Sequence, residues 1–511
     1  MVIGNALSVG LIGLKAFTIQ LQAFISPGLP YFSIIGLPDA SLSEARERVK
    51  SGCAASGFTW PQTRVTVNMS PASLPKRGSS HDLAIAAAVL SASGVVPHDC
   101  MVGVVVLGEV NLDGSVHAID GLLPILLHAR DAGLRHVIVP RANRDEAELV
   151  DGVEPRYVSH VGELMEMFGA HAAYTLRDED PGIADGRADL GTMAMPVGDM
   201  AEVVGQQPAK RALEVAAAGG HHVLMVGPPG TGKTMLASRM PGIMAPLDER
   251  DQFEVASIRS LCGTLGAYGI TDVPPFEAPH HTATVPALVG GGSGIGKPGA
   301  VTRAHRGVLF MDEAPEFAPR ALQTLREPLE SGVVAVSRSK GTAIYPASFQ
   351  LVMAANPCPC GYGYGTGERC TCRERDRIRY FARLSGPILD RIDIQVPVNP
   401  ISRIGVAPTA RGETSEAVRA RVVAARDIAR RRFAETGWGC NAQASGTWLR
   451  AHTPTEALDV VNEALGAQRL SLRGADRSMR LAWTLADLAG HGRPDANDMT
   501  EAIALRTKEL T

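Results

Sequence analysis

The sequence predicts a multidomain α/β protein with a helical C-terminal part, on three observations. The chain has 511 residues, more than one hydrophobic core accommodates. Short apolar runs of strand character alternate with helical patterns over residues 1–170 and again over 200–400. Glycine is frequent, at 54 residues, while aromatics make up only 5%. That balance suits an α/β protein with many tight turns better than an all-β sandwich.

Met1–Leu11 alternates like a strand and carries no basic leader or cleavage signal. Val65, Val67 and Met69 alternate in the same way. Asp82–Ala92 is apolar throughout and reads as a helix, and Val102–Leu107 and His136–Pro140 read as buried strands with the helix Leu122–Ala132 between them. Periodicity stops over 171–199, where the acidic stretch LRDEDPGIADGRADLG predicts a linker. A second α/β region covers 200–400. The remainder, 401–511, is charged and helical, punctuated by Gly446, Gly474 and Gly490.

Apolar residues at 45% and charged residues at 20% are ordinary for a globular protein, and no apolar run is long enough to predict a membrane span. A net charge of −3 leaves any nucleic-acid contact to a local basic patch. Eight cysteines, four of them between 358 and 372, point to a reducing compartment and a metal rather than to a disulfide framework. A cytoplasmic protein is expected.

The strongest motif is a strand, His222–Val226, feeding the loop Gly227-Pro228-Pro229-Gly230-Thr231-Gly232-Lys233-Thr234 and then a helix. Glycines let backbone N–H groups turn inward around phosphates, and the helix start adds positive potential. Lys233 is placed to reach the β- and γ-phosphates of ATP, and the Thr234 hydroxyl to ligate Mg2+. The apolar strand Gly307–Met311 ends in Asp312-Glu313. Asp312 suits the metal through water, and Glu313 suits a general base on the attacking water. Without the phosphate loop, the pair reads only as an acidic strand end.

A third strand, Leu351–Ala355, ends in Asn356, where parallel sheets bind ligands. Asn356 is expected to orient water or sense the γ-phosphate; alone, an Asn before Pro357 is only a turn starter. Arg391, in LSGPILDRIDIQVPV, reads either as an ion-pair partner of Asp390 or Asp393 or as an arginine finger reaching a neighbouring subunit's nucleotide. Arg473 opens a C-terminal helix and is expected to close onto the phosphates, with Arg477 and Arg480 as rivals for that role. Cys358, Cys360, Cys370 and Cys372 form C-x-C-x9-C-x-C in a glycine-rich loop, spacing that can close a tetrahedral Zn2+ site with no open position for catalysis. An unmetallated, reduced loop is the plainer alternative.

Several long segments resemble the YifB/ComM group of magnesium-chelatase-like AAA+ ATPases: DMAEVVGQQPAKRALEVAAAGGHHVLMVGPPGTGKTMLA, PHHTATVPALVGGGSGIGKPGAVTRAHRGVLFMDEAPEF, LVMAANPCPCG followed by SGPILDRIDI, and IIGLPDASLSEARERVKSGCAASGF. The resemblance covers nearly the whole chain. It implies a P-loop AAA+ core at 200–400, a parallel sheet with helices on both faces, followed by a helical lid at 401–511. It also implies a homo-hexameric ring, an insert at about 253–300, and a β-hairpin, SGVVAVSRSKGTAIYPA, whose Arg338 and Lys340 face a central pore and contact DNA. The activity implied is ATP-driven DNA branch migration or helicase-type remodelling; a chelatase-like or regulatory ATPase acting on a protein is the alternative.

Residues 1–170 resemble the Lon-protease-like domain, which has the ribosomal-protein-S5-like fold. Ser80 falls near Lon's nucleophile, but where a lysine is expected the chain has Leu122, Leu123 and Ile125. A serine without a base is a poor nucleophile, so proteolysis is not expected.

Overall fold

The structure, a computed structural model, describes residues 3–36, 40–72, 74, 79–175, 198–291, 297–338, 341–364, 368–384, 386–400 and 412–506. Its N-terminal domain is built on a seven-stranded mixed sheet. In spatial order the strands are Tyr31–Ile35, Arg64–Ser70, Lys15–Ser26, Ile3–Ile12, Val104–Val106, His136–Pro140 and Glu154–Val158. The helix Asp82–Ala92 is apolar on every side from Leu83 to Leu90 and accordingly lies at the centre of the core. It rides directly on the first strand. A Cβ at Gly4 would stand 2.1 Å from the Ala88 carbonyl, so only glycine permits that approach. Leu83, Ile85 and Leu90 are fully buried there, each contributing about 1.5–3 kcal/mol.

The second sheet has five strands, all parallel, in the order Phe276–Glu277, Val308–Met311, Gln350–Ala355, Val223–Val226 and Ile394–Pro397. The three inner strands are buried at every residue, which matches their unbroken apolar sequence. On one face the helix Gln207–Gly219 brings small residues, Ala209, Ala212 and Ala216, against the helices Ser415–Arg432 and Leu472–Ala489. The C-terminal helices therefore share a continuous core with the sheet. Arg426 seals this junction by donating to the Ala217 carbonyl at 2.8 Å.

The two domains are joined through the helix Glu249–Leu261. Ala256 and the nearby Leu265 enter the cluster of Leu122, Leu123, Ile125 and Leu126, and Gly121 N donates to the Ser260 carbonyl at 3.1 Å. Glu146 accepts from Leu123 N at 2.8 Å and from the Ser260 hydroxyl. Among the described residues no helix is long and apolar enough to cross a membrane.

Three expectations need correction. The strand expected over Val102–Leu107 is confined to Val104–Val106, with Val102 exposed in a turn. The insert expected at about 253–300 cannot start at Phe253. That residue lies in the helix Glu249–Leu261, and Phe276–Glu277 then joins the main sheet. Added structure falls after that strand, in Val285–Val289 and the pair Gly290–Gly291 and Lys297–Pro298. The segment expected as a linker from 171 is still packed at its start, since the Tyr174 ring stacks on His160 at 4.5 Å and its hydroxyl donates to Glu166 at 2.9 Å. Most of that segment, 176–197, lies outside the described residues, as does 401–411.

Candidate active site

Parallel register brings three strand ends to one edge of the second sheet. Val226 pairs with Ala355, and Met311 with Met353, so Gly227, Asp312 and Asn356 emerge side by side at the carboxyl edge. This is the edge at which open parallel sheets bind ligands. The loop from Gly227 to Thr234 needs glycine at three points, for two reasons. Gly230 and Gly232 adopt φ of 78° and 88°, where a Cβ would face open space. A Cβ on Gly227 would instead run into the Val398 carbonyl at 2.1 Å. Thr231 bonds back to the Pro228 carbonyl at 2.9 Å.

Lys233, at the start of the helix Lys233–Ser238, is buried. Its ammonium donates to the carbonyls of Gly227 at 2.6 Å and Pro228 at 2.9 Å, and to Asn356 Oδ1 at 3.2 Å. Burial pulls its pKa below the ordinary lysine value, while Asp312 and Glu313 oppose that. The Thr234 hydroxyl donates to Asp312 Oδ2 at 2.7 Å. A hydroxyl and a carboxylate oxygen this close are the donor set that Mg2+ takes in phosphate sites. The residues present therefore fit a magnesium nucleotide.

Glu313 follows with φ of 50°, a left-handed conformation rare outside glycine. Its N–H donates to Asp312 Oδ1 at 2.9 Å, and its half-exposed carboxylate is held by His281 Nδ1 at 3.2 Å. His281 was missed by the sequence reading, although it lies in the quoted PHHT segment; no periodicity marks it. Gln206 was missed too. Its amide donates to the Thr231 carbonyl at 3.2 Å and the Asn399 carbonyl at 2.7 Å, propping the loop from the side.

The two arginine candidates lie elsewhere. Asp393 N and Ile394 N both donate to the His222 carbonyl at 3.1 Å, whereas Val398 N donates to the Val226 carbonyl at 2.8 Å. Arg391 thus stands at the amino edge, separated from Gly227 by five or more residues of strand, roughly 17 Å. It is mostly buried and paired with Glu330. Burial, then Arg326, Arg477 and Arg473, lowers its pKa, the signature of a cationic cluster that an anion would relieve.

Arg473 does not close onto the phosphates of its own chain. It is 81% exposed and lies 3.7 Å from Asp390, on the Arg391 side. The reason is anchorage of its helix. Arg477 donates to the Arg391 carbonyl at 2.9 Å and to Asp393. Burial alone would raise Asp393, but Arg477 and His221 hold its carboxyl far below the carboxylate range. A cavity of about 1130 Å³ opens here, lined by Arg391, Arg426, Arg473, Arg477, Glu330 and Asp390 among others.

The expected hairpin is present, Val333–Arg338 pairing antiparallel with Gly341–Pro346. Arg338 ends its first strand; Lys340 lies outside the described residues. The four clustered cysteines converge, all four sulfurs within 4.8 Å of one another.

Residues 199–405 match the family described as magnesium chelatase, subunit ChlI; 21–143 match subunit ChlI of Mg-chelatase; 412–506 match its C-terminal region. A Mycobacterium tuberculosis protein is 44% identical over 99% of both chains. The YifB protein of Escherichia coli is 37% identical over 97% of this chain and 95% of its own. Competence protein ComM of Haemophilus influenzae is 36% identical, with the same coverage of 97% and 95%.

The chain belongs to the YifB/ComM family of magnesium-chelatase-like AAA+ proteins.

Membership accounts for the five-stranded parallel sheet carrying the phosphate loop, and it implies ATP and Mg2+ as the ligands of that loop. The N-terminal domain has a partial relative as well. Lon protease 2 of Bacillus subtilis is 36% identical over 137 residues, 25% of this YifB/ComM chain and 24% of that protein.

Proposed function

We propose that the chain is a magnesium-dependent ATPase that works as a cytoplasmic ring and drives remodelling of DNA. The observation that carries this is the division of one catalytic apparatus between two edges of a single sheet. Lys233, Thr234, Asp312, Glu313 and Asn356 stand at the carboxyl edge, and Arg391 with Arg473 at the amino edge. One chain cannot bring them together. Head-to-tail packing of identical chains does, and a heterologous contact that closes makes a ring; a hexamer is the size that the resemblance to the AAA+ family implies.

In this reading the backbone N–H groups of Gly230–Thr234 bind the phosphates, and Lys233 turns from its carbonyl partners to the β- and γ-oxygens. Thr234 and Asp312 hold Mg2+, which when bound neutralises charge on the transferred phosphoryl group. Glu313 takes the proton of the attacking water once His281 releases it. Asn356 orients that water. Arg391, leaving Glu330, offsets transition-state charge in the neighbouring site. Arg338 and Lys340 contact the DNA backbone from the hairpin. Cys358, Cys360, Cys370 and Cys372 form a structural zinc site.

The DNA part is supported by the relative named a competence protein. The match to magnesium chelatase subunit ChlI favours a second reading, remodelling of a protein partner. ATP hydrolysis measured with and without single-stranded and branched DNA separates them. Stimulation of several-fold is expected; no response to any DNA form favours the protein partner.

A further inference from the structure

The cysteine loop lies against the phosphate loop, and residues on both sides make the contact. Sulfur separations are 3.3 Å for Cys358–Cys360 and 3.7 Å for both Cys358–Cys370 and Cys360–Cys370. Four sulfurs each about 2.3 Å from a tetrahedral zinc stand roughly 3.8 Å apart, whereas a disulfide requires about 2.05 Å. Close sulfur packing is built into the backbone. Gly363 N donates to Cys358 Sγ at 3.1 Å, and a Cβ at 363 would press on that sulfur at 3.0 Å and on Cys370 Sγ at 3.5 Å. An N–H aimed at a ligand sulfur is the outer-shell support that metal thiolates receive. The Arg369 guanidinium, stacked 4.5 Å over Tyr362, adds a cation beside a site of four thiolates.

Two further contacts tie this site to the nucleotide loop. Gly361, at φ of 82°, sits so close to Pro229 that a Cβ there would meet the proline Cδ at 2.7 Å. Asn356, bonded to Lys233, lies two residues before Cys358. Its backbone is hydrogen-bonded to the Tyr380 hydroxyl, and Tyr380 is buried on the helix that follows Cys372. The loop thus touches the phosphate loop on one side and frames Asn356 on the other. A glycine-rich loop pays a large entropy cost for such order, which metal binding offsets.

We propose that Cys358, Cys360, Cys370 and Cys372 hold one zinc ion that braces the phosphate loop through Gly361 and Asn356, so that nucleotide affinity depends on zinc. Four sulfur ligands leave no open coordination position, so the ion acts by position and not by chemistry. This rests on the reading of Gly227–Thr234 as the ATP site.

The full-length protein tests it. Elemental analysis is expected to find one zinc per chain, and cobalt exchange to give the thiolate charge-transfer and intense d–d bands of a tetrahedral sulfur site. Titration with a fluorescent ATP analogue is expected to weaken at least tenfold after chelation of zinc. Re-adding zinc should restore affinity, and magnesium should not. Cys370→Ser should behave like the chelated protein; if that variant does not fold, chelation of the unaltered protein still decides. Pro229→Gly should keep its zinc while its nucleotide affinity stops responding to zinc removal, and Lys233→Ala should keep its zinc while losing the analogue. Absence of stoichiometric zinc or of the cobalt bands overturns the site. Zinc that can be removed without changing affinity overturns the brace alone. A zinc-loaded protein that never binds the analogue overturns the ATP reading together with the brace.

Discussion

Both domains place a polar loop at the start of a helix, and they use it differently. In the C-terminal sheet, Lys233 bonds Asn356 at 3.2 Å and Thr234 bonds Asp312 at 2.7 Å along an open edge. In the N-terminal domain, the described neighbours Ser79, His81 and Asp82 of Ser80 are engaged by the fold. Ser79 bonds Glu109, buried His81 bonds buried Ser8 at 2.9 Å, and buried Asp82 pairs with Arg48 at 2.8 Å. Burial pushes Asp82 up to about 6 even against Arg48. In the stretch where the resemblance to Lon places a lysine, Leu122, Leu123 and Ile125 are buried against the joining helix. Resemblance in a loop becomes a site only when its partners converge and keep capacity for a ligand.

That contrast can be broken experimentally. Lys233→Ala should cost about three orders of magnitude in ATP affinity, roughly 4 kcal/mol, measured by calorimetry with magnesium; retained tight binding would remove the loop assignment. Arg391→Ala should leave nucleotide binding intact but slow hydrolysis by the assembled protein about 10³-fold, and unchanged turnover would place the finger elsewhere. Glu313→Gln should bind ATP normally and turn over at about one-hundredth of the rate or less; normal turnover would exclude it as base. Leu123→Ala should do the reverse, destabilising the N-terminal domain by about 3 kcal/mol in urea unfolding while leaving ATP affinity unchanged. A loss of affinity there would couple the two regions more tightly than their cores imply. His281→Ala should give the smallest effect, about a two- to fivefold rise in hydrolysis without DNA, because a single solvent-accessible contact restrains Glu313. A fall instead would make His281 a partner in the reaction.

Legibility followed locality. Gly227–Thr234 was readable because consecutive residues encode the whole loop, and Asp312 and Asn356 because each ends an apolar strand. His281 and Gln206 escaped notice because their partners, Glu313 and the Thr231 carbonyl, are distant in sequence. The insert was misplaced because the strand that bounds it, Phe276–Glu277, has two residues, too few for any periodic pattern.

By itself the sequence determined the α/β class, the phosphate loop, the strand-end carboxylates and the four cysteines, since backbone spacing and apolar period act over a few residues. Tertiary structure alone decided that Arg391 and Arg473 share the amino edge, away from the phosphates of their own chain. Parallel register and the Asp393–Arg477 pair set that geometry, and both join segments far apart along the chain.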